Sequence, residues 1–286
     1  MAKIYLKQID SRIRTSIILF LLACILLSFE TLTFMLIFGL SILIVSETNL
    51  NITKNNQNIR LFFYVIIFLP TYYLWAIKFQ NLLIYFNFLF LFLAIFLALL
   101  GVMNKTPKNL SVSQFSLFKN NSLYPIFLRE VSTVYFLFGV STFLVLYKSL
   151  EDLNWVIFTF ISVMSVDIFA YLIGSIIGKR KIKILFKISP NKTFEGFAAG
   201  LILGGLFIFS IQYVILLPIS TQWLIFLSIV IPLLAITGDL LASGIKRYFD
   251  IKNFSEILPG HGGILDRLDS LVPVLIFLSF VKVIIL

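Results

Sequence analysis

Residues 222–245 read QWLIFLSIVIPLLAITGDLLASGI, an apolar run whose one ionisable side chain is Asp239. A bilayer core of about 30 Å is crossed by around 20 apolar residues in a helix, and this run is long enough. In that core the backbone N–H and C=O groups have no water to bond, so the run predicts a membrane-spanning α-helix with a carboxylate inside it.

Eight further runs have this character, at approximately 16–29, 31–46, 61–77, 82–103, 131–149, 153–177, 195–217 and 270–286. The first two are separated only by Glu30, as a tight helical hairpin or, with the count then eight, one long broken segment. The expected fold is an all-α polytopic membrane protein of about nine transmembrane helices. Composition agrees: 60% of the 286 residues are hydrophobic and the mean hydropathy is +1.04, against roughly 45–50% apolar residues in a soluble domain.

Lys and Arg test this topology, because they concentrate in cytoplasmic loops. With the N-terminus cytoplasmic, the inside segments hold twenty of the 23 basic residues, and only Lys78, Lys148 and Lys282 fall elsewhere. The net charge of +10 is therefore topological, and no nucleic-acid partner is expected, since the lysines are scattered between spans. The basic start before residue 16 resembles a signal peptide, but no small-residue cleavage site follows it, so the first run is read as a retained helix. The single Cys24 cannot by itself build a disulfide or a thiolate metal site.

Two intramembrane acids stand out, Asp167 and Asp239. A carboxylate at such depth costs on the order of 2.5–3.5 kcal/mol on insertion scales, so it is expected to face a polar cavity and bind something. Asp239 opens the densest polar stretch of the chain. Asp239, Ser243, Lys246 and Arg247 follow the spacing i, i+4, i+7, i+8, which puts a carboxylate in the membrane and cations at its surface on one helical face. Gly260, Gly262 and Gly263 surround the only histidine, His261, and glycine permits the close backbone approach of a phosphate-cradling loop. Asp266 and Asp269 sit at i and i+3 before the last run, with Arg267 between them as a bidentate phosphate binder. Carboxylates converging without a cysteine cluster suit a hard cation, Mg²⁺. Upstream, Lys192 and Thr193 stand at a helix start, where a hydroxyl caps and anions bind.

These residues also carry a family resemblance. Ser243-Gly244-Ile245-Lys246-Arg247, then Lys252, then Pro259 to Asp269 (PGHGGILDRLD) resembles the signature of the phosphatidate cytidylyltransferase (CDP-diglyceride synthase) family. Ser189 to Gly196 (SPNKTFEG) is similar to that family's Ser-Pro-Asn-Lys-Thr-Trp-Glu-Gly with Phe194 for tryptophan, and Asp167 to Gly174 (DIFAYLIG) to its Asp-Ser/Thr-Gly-Ala-Tyr-Phe-x-Gly. Two departures matter. Asn253 stands where the family typically has aspartate, with Asp250 the nearest substitute, and Ile168 lacks the usual hydroxyl. The resemblance covers roughly residues 160–286. It divides the chain into an N-terminal transmembrane scaffold of about five helices (1–150) and a catalytic region of about four helices with cytoplasmic loops (151–286).

The resemblance implies that a phosphatidate oxygen attacks the α-phosphorus of CTP and expels pyrophosphate, giving CDP-diacylglycerol. CTP, phosphatidic acid and membrane lipids are the partners implied, and a homodimer is left open. Asp239 and Asp266 are the expected metal ligands, with Asp269 and Asp167 as further candidates. Lys192, Lys246, Arg247 and Arg267 are the expected phosphate binders, with Ser243, Lys252, Gly262 and Gly263 around the substrate. His261 is a candidate to bond a phosphate or orient an aspartate. The expected setting is the bacterial inner (plasma) membrane, with the site facing the cytoplasm. Two alternatives remain: a CTP-dependent lipid kinase acting on a polyprenol-type alcohol, and a cation-coupled transporter, for which no matched pair of broken helices is evident.

Overall fold

The computed structural model describes residues 39–48, 123–146, 153–181, 189–190, 192–258 and 262–285. Among them every regular element is an α-helix, with two isolated β-bridges in the connections. In chain order these are α1 (Gly39–Thr48), α2 (Leu123–Leu146), α3 (Leu153–Ile176), α4 (Phe194–Ile215), α5 (Thr221–Tyr248), the single turn α6 (Leu265–Leu268) and α7 (Leu271–Ile285). The spans expected at 16–29, 61–77 and 82–103 lie outside the described residues, as do His261 and the side on which the N-terminus emerges.

Three helices, α3, α4 and α5, are long and apolar enough to cross a membrane, and α1 and α7 are shorter apolar helices. The bounds of α3, α4, α5 and α7 follow the hydropathic runs within a few residues. Helix α2 differs, beginning at Leu123 rather than near 131. Hydropathy falls at Arg129 and Glu130, yet these neighbours pair with each other at 2.5 Å and the helix continues through them.

Capping sets the membrane ends. Thr193 accepts from the Gly196 N–H at 3.2 Å and starts α4, as its sequence context suggested. Ser220 does the same for α5 through the Trp223 N–H. Helix α5 stops in a Schellman turn: the Ile251 N–H reaches the Lys246 carbonyl, the Asp250 N–H reaches that of Arg247, and Asp250 takes a left-handed φ of 57°.

Small residues bring the helices together, as expected where lipid removes the hydrophobic drive for association. Gly196, Gly200 and Gly204 form a stripe on α4 against α3. A Cβ there would lie 2.7 Å from the Ala170 carbonyl, 3.1 Å from the Ala170 Cβ and 2.9 Å from a Val166 methyl. On the adjacent flank a Cβ at Gly205 would lie 2.5 Å from the Ser228 carbonyl of α5. That carbonyl is the one left without a helical donor by Pro232.

Helix α7 is buried over nearly its whole circumference, and its side chains form one core with α1 (Ile44, Val45), α2 (Phe136, Leu137, Val140) and Phe254. An all-round apolar helix is one enclosed by others. Lys282, far along α7, is buried and donates to the Leu146 carbonyl at the end of α2. By contrast, Met164, Ile202, Leu206 and Ile229 on α3, α4 and α5 are exposed, a surface suited to lipid.

Candidate active site

Asp167 lies nine residues before the end of α3 and Asp239 nine before the end of α5, so the two carboxylates sit at one depth, roughly 13 Å from the helix ends at 1.5 Å per residue. Unequal depths follow from the hydropathic runs alone. They become equal because α5 continues past its apolar run to Tyr248. Between them opens a cavity of about 440 Å³. Its wall includes Asp167, Lys192, Asp239, Asp266, Arg267 and Asp269, with Tyr171, Thr193 and Phe197 from α3 and the start of α4.

Each acid is held in a distinct way. Asp239 pairs with Lys192 at 2.5 Å and accepts from the Ser243 hydroxyl, one turn on, at 3.3 Å. Asp167 accepts from the Ser270 hydroxyl at 3.2 Å, which ties α3 to the start of α7. The Asp266 carboxylate staples a loop: one oxygen takes the Lys246 ammonium at 2.6 Å, and the other takes the N–H groups of Phe254 and Gly263, both at 2.9 Å. Asp269 accepts from the Ser270 N–H at 2.8 Å and stands 4.0 Å from Lys246. Burial, and after it the charge of Asp239, pushes the Asp269 carboxyl well above the usual carboxylate range, against the opposing pull of Lys246.

Six of the residues expected from the sequence therefore meet in one cavity. Others do not line it. Lys246, expected at the phosphate surface, is buried, with its ammonium on Asp266 and 5.4 Å from the Phe254 ring centroid. It serves as an internal counter-ion. Arg247 donates to the Ile251 carbonyl at 3.2 Å and so braces the Schellman turn. Lys252 is exposed beyond that turn. Ser243 acts behind Asp239. Gly262 has a φ of +84° and closes a turn in which the Leu258 N–H bonds its carbonyl, and Gly263 lies beneath it with no room for a side chain. His261 is outside the described residues.

The sequence profile of the cytidylyltransferase family matches residues 10–285. The chain belongs to that family. It is 41% identical over 128 residues to a phosphatidate cytidylyltransferase of Bacillus subtilis (strain 168), covering 45% of this chain and 47% of the relative. Against a Staphylococcus epidermidis protein of the same name it is 40% identical over 133 residues, 46% of this chain and 50% of the relative. A Staphylococcus saprophyticus protein of that name is 39% identical over 142 residues, 49% and 54%. The chain spans about half the length of these relatives.

Within this cytidylyltransferase-family site, the departures from the family pattern take definite places. Ile168 is half exposed and absent from the cavity wall. The Asn253 side chain stands beside Gly262, about 3.5 Å from where a Cβ would project. Asp250, the nearest acid, is fixed as the left-handed residue of the Schellman turn and does not line the cavity. Sequence reasoning missed Ser270, whose position directly after Asp269 was a usable signal, and Glu47, which had none beyond being an acid at the end of an apolar run.

The donor chemistry fits a hard cation: four carboxylates against two cations, Lys192 and Arg267, line the cavity, and Asp269 is disfavoured as an anion without further positive charge. Among the described residues no three His, Cys, Asp or Glu side chains stand close enough to hold a metal ion between them. Mg²⁺ needs no such cage, since it is typically bound through one or two carboxylates, water and substrate phosphates.

Proposed function

We propose that this chain is a phosphatidate cytidylyltransferase, joining CTP and phosphatidic acid into CDP-diacylglycerol and pyrophosphate. The observation that carries the reading is the cavity itself: acids and cations from α3, α4, α5 and the α6–α7 junction converge among helices of membrane-spanning length. An anionic nucleotide and an anionic lipid headgroup need such a mixed lining, and the lipid needs helices that hold the site in the bilayer.

In this reading an oxygen of the phosphatidate phosphate bonds to the α-phosphorus of CTP, the bond to the β-phosphate breaks, and pyrophosphate leaves. A phosphomonoester has a second pKa near 6, so the nucleophile is ionised at pH 7 and the chain need not supply a strong base. Its residues bind and align two anions. Lys192, at the positive end of α4, and Arg267, exposed at the cavity wall, take phosphate oxygens. Asp239, with at most one of Asp167, Asp266 and Asp269 beside it, would hold Mg²⁺ through one or two carboxylates, water and substrate phosphates, while Asp266 keeps its loop in place. The ion supplies charge neutralisation at the phosphates.

The cavity lies at the end of the helices where Lys179, Arg180, Lys246, Arg247 and Arg267 gather, which supports a cytoplasmic site in an inner (plasma) membrane under the positive-inside rule. Nine spans with a cytoplasmic N-terminus complete the proposed topology. The purified protein, given CTP, phosphatidic acid and Mg²⁺, is expected to yield CDP-lipid and pyrophosphate. Release of free CDP with a phosphorylated lipid alcohol would instead identify a lipid kinase, and substrate uptake without CTP turnover a transporter.

A further inference from the structure

Glu47 belongs to α1, far in sequence from the motifs at residues 167–269, yet its carboxylate ends inside the loop that builds the site. Only 1% of the residue is exposed. One oxygen accepts from the Ser255 hydroxyl at 2.7 Å and from the Ile264 N–H at 2.8 Å. The other accepts from the Leu265 N–H at 3.0 Å. A buried carboxylate is costly unless donors satisfy it, and charge-assisted bonds of this kind are roughly twice as strong as neutral ones. Ile264 and Leu265 open the turn that carries Asp266, Arg267 and Asp269, three residues of the cavity wall.

Gly263 gives an independent sign that this contact shapes the loop. A Cβ at that position would lie 2.7 Å from the Ser255 hydroxyl and 2.8 Å from a Glu47 carboxylate oxygen. The backbone has thus approached Glu47 as closely as a residue without a side chain allows. From the opposite side, Asp266 takes the N–H groups of Gly263 and Phe254, and Phe254 packs edge-on against Phe136 of α2 at 5.8 Å. Two carboxylates thereby clamp Phe254, Ser255 and the 263–265 backbone, one of them from the site and one from the scaffold.

We infer that Glu47 is a positioning residue for nucleotidyl transfer: from α1 it fixes the loop and turn that present Asp266, Arg267 and Asp269 to the cavity. The activity arm of its test rests on the proposed cytidylyl transfer, and the structural arm does not. Misplacement of reacting groups by about 1 Å costs on the order of 100-fold in rate.

In full-length protein purified in detergent, Glu47→Ala is expected to lower kcat for CDP-lipid formation about 100-fold and to speed amide hydrogen exchange in the peptide spanning 263–268. Exchange in α4 should stay unchanged. Glu47→Gln keeps one acceptor oxygen for Ser255 and Ile264 but turns an amide toward Leu265. It should recover part of both losses, to about 10-fold below wild type, a rescue that simple loss of folding would not give. If Glu47→Ala does not fold, Glu47→Gln decides: wild-type kcat with wild-type exchange at 263–268 overturns the inference. Exchange as slow as wild type in Glu47→Ala overturns it as well. A wild-type protein that makes no CDP-lipid would defeat the activity reading alone, leaving the exchange arm to judge Glu47.

Discussion

At Asp239 a single carboxylate meets a lysine from the α4 start and a serine from its own helix. If it holds the cation, Asp239→Asn should reduce turnover by at least about 100-fold, with the Mg²⁺ dependence altered, whereas Ser243→Ala, removing only a 3.3 Å bond, should cost a few-fold. Kinetics against Mg²⁺ concentration checks both, and near-normal turnover of Asp239→Asn would remove it from the mechanism. Lys246 makes a different prediction. It is the buried partner of Asp266 and stands near Asp269, so Lys246→Met leaves two acids without it and should destabilise the protein by about 3–5 kcal/mol, read by thermal unfolding in detergent. The sequence showed that Lys246 shares a face with Asp239. It could not show that Phe254 and Asp266 fold over that face, since periodicity places a residue on its own helix and says nothing of what covers it.

Helices were legible where apolar length and a cap coincide, as at Thr193. They were less so at α2, where an adjacent ion pair lets the helix extend beyond its hydropathic run. The α4 stripe explains how Asp167 is held in place, because Gly204 packs against Val166, the residue before it. Gly204→Leu should separate α3 from α4 and cost about 1–3 kcal/mol, with a fall in activity beyond the fall in stability. Gly39→Ala offers the contrast, since among the described residues nothing lies within 4 Å of its added methyl, and it should unfold at the wild-type temperature. Thermal scans of the two variants side by side test whether close helix approach, rather than glycine content, matters. Glu47 escaped sequence reading because its partners are 208 to 218 residues away, a separation at which spacing carries no information.

Across the whole molecule, composition pointed to a membrane protein, and the motifs between Asp167 and Asp269 supplied six residues that line one cavity. What joins them is the convergence of α3, α4, α5 and the α6–α7 junction on one cavity, braced from behind by α1 and α2. The proposed topology places the basic ends of these helices in the cytoplasm, so a reporter fused after Leu286 should read as external if nine spans are present. A cytoplasmic reading would contradict that count. The central claim, cytidylyl transfer to a lipid phosphate at this cavity, is tested most directly by the fate of label from CTP. With phosphatidic acid and Mg²⁺, label from the α-phosphate should enter the lipid and label from the γ-phosphate should leave as pyrophosphate, and neither should occur in Asp239→Asn. γ-label appearing in the lipid, or α-label transfer undiminished in Asp239→Asn, would contradict it.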